Sequence, residues 1–196
     1  MNNTEKLDAI RLYIYNIFSN DTSGHDYYHM KRVAKMAKTI AEQEGANQFI
    51  AEAAAWIHDV GDRKLFANSS NEINKLNEFL LTINCTSDQL KQIKAAVRDV
   101  SFSKGRIPVT QEGKIVQDAD RLDAIGAIGI ARTFAYGGSK EQPIWDNNTK
   151  DNTSVQHFYD KLLTLKDLMH TSSAKEIAEE RHNFMENYLN QFFQEW

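Results

Sequence analysis

The sequence has little of what secreted or membrane proteins are built from. It contains a single cysteine, Cys85, so an intramolecular disulfide framework is excluded. Residues 1–6 show no apolar leader with a small-residue cleavage site, and no later apolar run reaches the length of a membrane span. We therefore expect a cytoplasmic protein that does not enter a membrane.

The chain also lacks an excess of positive charge. Its formal net charge is −4 and its pI is near 5.9. Affinity for duplex nucleic acid comes largely from basic surfaces that neutralise phosphates, so the composition argues against such a partner. A local cationic pocket for one small phosphorylated molecule stays compatible with it.

Helix-breaking residues are rare as well. The two prolines, Pro108 and Pro143, fall in segments that already read as loops, and no strand-like alternation is found. With 196 residues, the sequence predicts one all-α domain, a helical bundle spanning residues 1–196. Apolar residues recur at helical spacing in most segments, for example Leu7, Ile10, Ile14 and Ile17. Apolar helix faces do not distinguish core from interface, so a homodimer stays open.

Local signals mark some helix starts and one long loop. Thr86 with Gln89 and Ser173 with Glu176 have the capping-box pattern. The stretch 137–152 is rich in glycine, asparagine and aspartate, and it predicts either a functional cover over a site or a flexible surface loop.

Three clusters of ionisable residues interrupt apolar helical segments. Residues 24–33 place two histidines at a helix start, and His58-Asp59 follows the apolar run 53–57. Residues 115–126 carry three acids, of which two, Asp120 and Asp123, are separated by about 300° of helical rotation and share a face. A buried His-Asp pair and like charges on one face both require a partner, and a cation would satisfy both. Taken singly, each cluster has a structural explanation, either solvated acids at helix ends or a core histidine with one hydrogen bond, and for an isolated His-Asp pair this explanation is strongly favoured.

Taken together, the clusters resemble the signature of the HD-domain phosphohydrolases. The matching motifs are His29-x-x-Arg32-Val33, His58-Asp59-x-x-Asp62 and Asp118-Ala-Asp120-Arg-Leu-Asp123. The resemblance spans residues 24–135, and the segment 153–196 resembles the C-terminal helices of small bacterial stand-alone members, completing the domain.

The resemblance implies four metal ligands placed between central helices: His29, His58, Asp59 and Asp120. Asp120 is preferred over Asp118 because the family's ligand stands in the Ala-Asp-Arg-Leu frame. Some members hold a second metal with two further histidines, and no such pair occurs around residues 98–102. We therefore expect one divalent cation, with Mn²⁺ or Mg²⁺ favoured by the mixed nitrogen and oxygen donors, and with Fe²⁺, Co²⁺ and Ni²⁺ as further options.

Other residues are assigned supporting roles. Asp62 would orient or deprotonate the attacking water, if the helix continues past Gly61. Asp123 would either support the site or meet the substrate sugar, or instead form a salt bridge with Arg121 or a neighbouring helix. The predicted substrate-binding residues are Arg32, His157 and Lys161. Tyr27, Tyr28 and Trp145 could stack on a base, although aromatics at helical spacing more often belong to a core.

The predicted function is metal-dependent hydrolysis of phosphate or pyrophosphate bonds in nucleotides, with (deoxy)nucleoside triphosphates the first substrates to test. A nucleoside monophosphate phosphatase is the alternative among enzymes. A regulatory module that senses a nucleotide without hydrolysing it is the alternative outside enzymes, and a buried polar network without metal is the structural one.

Overall fold

The computed structural model describes residues 1–19, 25–100, 105–149 and 151–196, and within these ranges it contains helices but no strand. The all-α prediction is thereby confirmed. The helices are α1 (Asn3–Phe18), α2 (Tyr27–Gln43), α3 (Gln48–Ile57), α4 (Ser69–Thr82), α5 (Ser87–Val97), α6 (Gln111–Asp123), α7 (Gly126–Ser139), α8 (Gln156–Asp160), a 3₁₀ helix (Leu162–Leu168) and α9 (Ser172–Glu195). None of these helices is long and apolar enough to cross a bilayer.

Helix α3 forms the centre of the bundle. Every residue from Phe49 to Ile57 is buried, because α1, α2, α5 and α6 all pack around this helix. The small side chains of Ala53, Ala54 and Ala55 are fully buried and let the neighbouring helices approach closely. The end of α3 is therefore held rigidly in the middle of the molecule, which is where the His58-Asp59 pair lies.

The two predicted capping boxes have different outcomes. Thr86 and Gln89 form the reciprocal box at the start of α5, as predicted. The prediction at Ser173 is wrong, because Thr171 is the N-cap of α9 and accepts a hydrogen bond from the Ala174 amide. Ser173 instead lies inside the helix and donates from its amide and hydroxyl to Glu44, both at 2.8 Å.

Asp118 joins α6 to the beginning of α9. Its buried carboxylate accepts hydrogen bonds from the amides of His170 and Thr171 and from the Thr171 hydroxyl, at 2.8–3.2 Å. This residue thus has a structural role, consistent with the prediction that it points away from the face shared by Asp120 and Asp123. The position of α6 along its own axis is fixed by the C-terminal part of the chain.

The long loop starts later than predicted, because α7 continues to Ser139. The beginning and the end of this loop lie side by side. The amides of Ser154 and Val155 donate hydrogen bonds to the carbonyls of Pro143 and Ile144, each at 3.0 Å. Within the loop, Trp145 packs edge-on against Phe193 of α9. Its role as a cover stays a prediction.

Candidate metal centre

Three separate segments bring the four predicted ligands together. His29 lies in the first turn of α2, where its amide donates to the N-cap carboxylate of Asp26 at 2.7 Å. His58 is the C-cap of α3, with Asp59 directly after it, and Asp120 lies near the end of α6. Because α2 and α6 both pack on α3, these three segments converge at one end of the central helix.

The distances between the ligand atoms suit a single cation. Nε2 of His29 lies 3.6 Å from Oδ1 of Asp120 and 3.8 Å from Oδ2 of Asp59. Nε2 of His58 lies 3.4 Å from Oδ1 of Asp59 and 3.7 Å from Oδ1 of Asp120. An octahedral ion with bonds of about 2.0–2.1 Å places neighbouring ligands roughly 3 Å apart, so a small inward shift of these atoms would complete the site.

Both imidazoles present a buried nitrogen that has no hydrogen-bond partner. These atoms are Nε2 of His29 and Nε2 of His58. Leaving a buried polar atom unpaired costs about 1–3 kcal/mol. Because both Nε2 atoms point into the same space, a single atom that accepts both lone pairs would remove this cost. A divalent cation fits this donor set.

The opposite nitrogen of each ring is firmly held. Nδ1 of His58 lies 2.7 Å from the carbonyl oxygen of Ala55, which can only accept, so Nδ1 carries the proton. Nδ1 of His29 lies 2.8 Å from Oδ2 of Asp123. Such partners fix the tautomer and the ring orientation that expose Nε2 to a metal.

Asp123 is itself clamped by two arginines. Arg32 donates from Nε at 2.6 Å and from its terminal nitrogen at 3.0 Å, and Arg132 donates at 2.8 Å. Despite its burial, these partners and His29 hold the pKa of Asp123 well below its usual range. Asp123 is therefore an ionised support behind His29, a predicted metal ligand.

The two histidines differ in their pKa values. Burial opposes charge on His58, but the carboxylates of Asp59 and Asp120 outweigh burial and raise its pKa to about 9. Burial dominates at His29 and lowers its pKa. Although burial favours the neutral acids, the neighbouring histidines hold the pKa values of Asp59 and Asp120 below their usual range. In the metal-free protein, His58 is therefore protonated at neutral pH and lies between the carboxylates of Asp59 and Asp120.

A cavity of about 210 Å³ opens beside these ligands, and we call it the metal-side cavity. One part of its wall is acidic, with Asp59, Asp62 and Asp120, and the rest carries four basic side chains. The lining residues are His25, Asp59, Asp62, Lys64, Leu65, Asp120, Arg121, Ala124, Arg132, Lys161 and Leu165. This arrangement can place an anion against both a bound cation and protein cations.

Asp62 lines the metal-side cavity, but it does not lie on a continuation of α3 as predicted. Helix α3 ends at Ile57, and Gly61 adopts φ +83°, so the helix does not continue to Asp62. Asp62 lies in the following turn, where its Oδ1 accepts from the Lys64 amide at 2.8 Å. The acid reaches the cavity through a glycine turn rather than along a helix face.

The predicted substrate-binding residues are dispersed. Lys161 lines the metal-side cavity, and burial lowers its pKa. His157 is exposed and is not among the residues that line this cavity. Arg32 pairs with Asp123 and lines a second cavity on the other side of α6. Arg121 does not bridge to Asp123 but donates to the carbonyl of Leu168.

Two of the three aromatic candidates, Tyr27 and Trp145, are partly buried and pack against the core. Tyr27 stacks on Trp56 with ring centroids 5.6 Å apart, and Trp145 contacts Phe193 at 5.2 Å. Tyr28 is exposed. The sequence predicts no second histidine pair in residues 98–102, and Ser101 and Phe102 of this segment lie outside the described residues. Gly24 of the first ionisable cluster also lies outside them.

Two residues at the site escaped the sequence analysis as candidates. Nδ1 of His25 lies 2.8 Å from Oδ2 of Asp59, and the ring lines the metal-side cavity. The sequence feature that could have identified His25 is the His-Asp dipeptide, which occurs both at 25–26 and at 58–59. Arg132 joins the site because α7 packs near the end of α6, and no local pattern encodes that contact.

The structure is an all-α bundle that gathers histidines and aspartates at the end of its central helix, in groups that could hold a metal ion. A family model for the HD domain matches residues 26–125. The chain belongs to the HD-domain family.

Similar proteins agree with this assignment over nearly the full length. YpgQ of Bacillus subtilis is 38% identical over 195 residues, covering 97% of this chain and 94% of that protein. A crystal structure of YpgQ in complex with ADP has a TM-score of 0.88 at 37% identity, covering 100% of this chain and 97% of the other. An HD-superfamily hydrolase from Bacillus thuringiensis has a TM-score of 0.84 at 43% identity, covering 100% and 98%.

Proposed function

We propose that the protein is a metal-dependent phosphohydrolase that cleaves nucleoside or deoxynucleoside triphosphates. One observation carries the proposal: two unpartnered imidazole nitrogens and two carboxylates converge beside a cavity lined by cations. The acidic part suits a divalent cation, and the basic part suits the phosphate chain that this cation would bind.

His29, His58, Asp59 and Asp120 would hold the ion, and their mixed donors favour Mn²⁺ or Mg²⁺. When bound, such an ion polarises a phosphoryl oxygen and lowers the pKa of a water ligand. Asp62, on the wall of the same cavity, is placed to accept a proton from a water there. Asp123 contributes by orienting His29 rather than by touching the substrate.

The basic side chains around the metal-side cavity favour a polyphosphate over a single phosphate. Lys64, Arg132 and Lys161 come from three different parts of the chain and line one space. Partial burial lowers the pKa of Lys161, and a phosphate bound in the cavity would favour its charged form. The related YpgQ has been crystallised with ADP, which agrees with a nucleotide as the ligand of this chain.

The function is tested with a panel of ribonucleotides and deoxyribonucleotides in the presence of Mn²⁺. Inorganic phosphate and pyrophosphate are measured separately, because they distinguish cleavage at different positions of the chain. We expect turnover of triphosphates by the wild type and none by His58→Ala, which loses a metal ligand. Equal inactivity of the two proteins would overturn the proposal.

Asp62→Asn separates an enzyme from a nucleotide sensor. The enzyme should lose at least about 100-fold in turnover, since general-base contributions are typically 10²–10⁴-fold, while Mn²⁺ and nucleotide still bind. Turnover that is absent in both proteins, with nucleotide binding intact in both, would identify a sensor instead.

Lys161→Met tests the basic wall. We expect weaker triphosphate binding, by roughly ten- to a hundredfold, with Mn²⁺ affinity unchanged, because a charge-assisted contact contributes about 1.5–3 kcal/mol. Lys166→Met is the matched control: this lysine lies on the 3₁₀ helix, pairs with Glu179 and is not among the residues lining the cavity. Similar losses in both variants would argue against a phosphate-binding role for Lys161.

A further inference from the structure

A second cavity lies across α6 from the metal-side cavity. Its volume is about 260 Å³, and α2, α6, α7 and α9 enclose it. Its lining residues are Arg32, Lys35, Met36, Thr39, Ala119, Asp123, Ile128, Ile177 and Arg181. We call it the rear cavity.

The rear cavity combines an apolar surface with an excess of positive charge. Met36, Ile128 and Ile177 supply apolar side chains from three helices. The surface of the cavity is mainly apolar, and its lining residues include three basic ones, Arg32, Lys35 and Arg181, and one acid, Asp123, which leaves a formal net charge of +2. Small-molecule sites are typically mainly apolar with a few fixed polar groups, and they commonly measure about 300–1,000 Å³. The rear cavity is slightly smaller than this range and fits a small organic anion.

Arg181 is held in the rear cavity by features of the backbone. Its guanidinium donates to the carbonyl of Leu122, and its stem lies against Gly126, where a Cβ would come within 3.0–3.2 Å of it. Gly126 has φ +76°, a conformation that favours glycine. Arg181 is therefore held in the wall by a backbone contact, while Asp123 and Glu180 lie near enough to favour its charge.

We propose that the rear cavity is a second ligand site, which binds an organic anion, a phosphate or carboxylate carried on an apolar body. The anionic group would meet Lys35, Arg32 and Arg181, and the body would contact Met36, Ile128 and Ile177. This site is independent of the metal-side cavity and does not require the proposed hydrolytic activity.

The rear cavity is connected to the metal centre through one residue. Asp123 lines the rear cavity and also accepts from Nδ1 of His29 at 2.8 Å. An anion that engages Arg32 would leave the carboxylate of Asp123 less neutralised, which strengthens its bond to His29 and makes that imidazole a better metal ligand. Ligand and metal should then each tighten the binding of the other, by the same factor.

The methyl group of Met36 provides a local reporter, and the chain has only five methionines. The full-length protein, labelled at its methionine methyl carbons, is titrated by NMR with AMP, octanoate and inorganic phosphate. We expect the Met36 signal to shift with AMP or with octanoate, and the responding probe identifies a nucleotide or an acyl anion. No shift with either at millimolar concentration, or an equal shift with inorganic phosphate, would overturn the proposal.

Lys35→Glu tests whether the charge of the cavity is responsible. Lys35 is exposed at the cavity, so this variant should fold normally and lose at least tenfold in affinity for the responding probe. Lys31→Glu is the matched control, since Lys31 is equally exposed on α2 but is not among the lining residues. A loss of the same size in both variants would contradict a built site.

The coupling is measured without any turnover assay. Mn²⁺ affinity is determined by calorimetry with and without the responding probe, in wild type and in Lys35→Glu. We expect the probe to tighten Mn²⁺ binding about fivefold or more in the wild type, and to have no effect in the variant. Unchanged Mn²⁺ affinity in a protein saturated with the probe would overturn the coupling through Asp123.

Discussion

At the scale of single residues, Asp123 shows how one carboxylate can support a proposed metal ligand without being a ligand itself. Its two oxygens receive two arginines and the imidazole of His29. The ion pairs keep it charged in spite of burial, and the charge in turn fixes the tautomer of His29.

Asp123→Asn should weaken Mn²⁺ binding by about 10- to 100-fold, the usual cost of losing such a partner behind a ligand. Calorimetric titration with Mn²⁺ measures the change. Asp118→Asn is the control, because Asp118 holds the start of α9 and should lower the melting temperature while the folded protein keeps its Mn²⁺ affinity. Equal Mn²⁺ affinity in wild type and Asp123→Asn would contradict the role given to Asp123.

The pKa of His58 makes metal binding depend on pH. Because this pKa is raised to about 9, His58 is protonated at pH 7 in the metal-free protein, and the ion must displace that proton. We expect release of about one proton per Mn²⁺ at pH 7, and an affinity that rises about tenfold per pH unit until pH 9. Calorimetry in buffers of different protonation enthalpy measures the proton count, and a count near zero would refute the assignment.

The same shift affects the stability of the metal-free fold. The pKa of His58 in the folded state lies above its ordinary value of 6.5, so the protonated form is stabilised by folding. This contribution is complete below about pH 6.5 and is lost as the pH rises through 9.

The four proposed ligand residues could be singled out in the sequence because each belongs to a short motif. His29, His58, Asp59 and Asp120 each lie at or near the end of a helix, and neighbouring residues identify them. Lys161 and Arg132 depend on how distant helices pack, so no spacing rule assigns both. The sequence predicts both His157 and Lys161 as substrate-binding residues, whereas only Lys161 lines the metal-side cavity.

At the scale of helices and turns, local chemistry determines a boundary when no distant partner competes. Thr86 and Gln89 satisfy each other, and the predicted start of α5 is confirmed. Near the start of α9, Thr171, Ser172 and Ser173 all carry hydroxyl groups suitable for capping. The choice among them is made by Asp118 and Glu44, which lie far away in the sequence.

Gly61 forms the turn that brings Asp62 to the acidic part of the wall of the metal-side cavity. Gly61→Ala should destabilise the protein by about 1–2 kcal/mol, since its φ of +83° is unfavourable for other residues, and a Cβ would lie 2.6 Å from Ile73. Thermal denaturation measures the loss. Gly138→Ala is the control, because nothing lies within 4 Å of its Cβ position in α7, and it should be neutral or slightly stabilising. An equal change in melting temperature in both variants would show that a side chain at position 61 does not strain the turn.

At the scale of the whole molecule, the proposed metal site joins α2, α3 and α6, which are separate helices of the chain. A ligand that binds the folded state stabilises it by mass action, by about 2.7 kcal/mol at a concentration 100 times its Kd. For a protein of this size, that corresponds to roughly 5–10 °C in melting temperature.

We therefore expect Mn²⁺ to raise the melting temperature and a chelator to reverse the rise. Differential scanning calorimetry of the whole chain measures both steps. His58→Ala should show no dependence on Mn²⁺, which separates binding at this site from unspecific effects. A wild-type protein that melts at one temperature with and without Mn²⁺ would favour a buried polar network instead.

The carboxylate of Asp118 has a consequence for how such proteins diversify. It ties the segment that carries the metal ligands to residues 170 and 171, beyond the region that the family model covers. The same outer region contributes Arg132 and Lys161 to the wall that faces the ligands. A substitution in the outer region could therefore alter the wall of the metal-side cavity without touching residues 26–125, whereas loss of the Asp118 carboxylate would disturb the junction between the two regions.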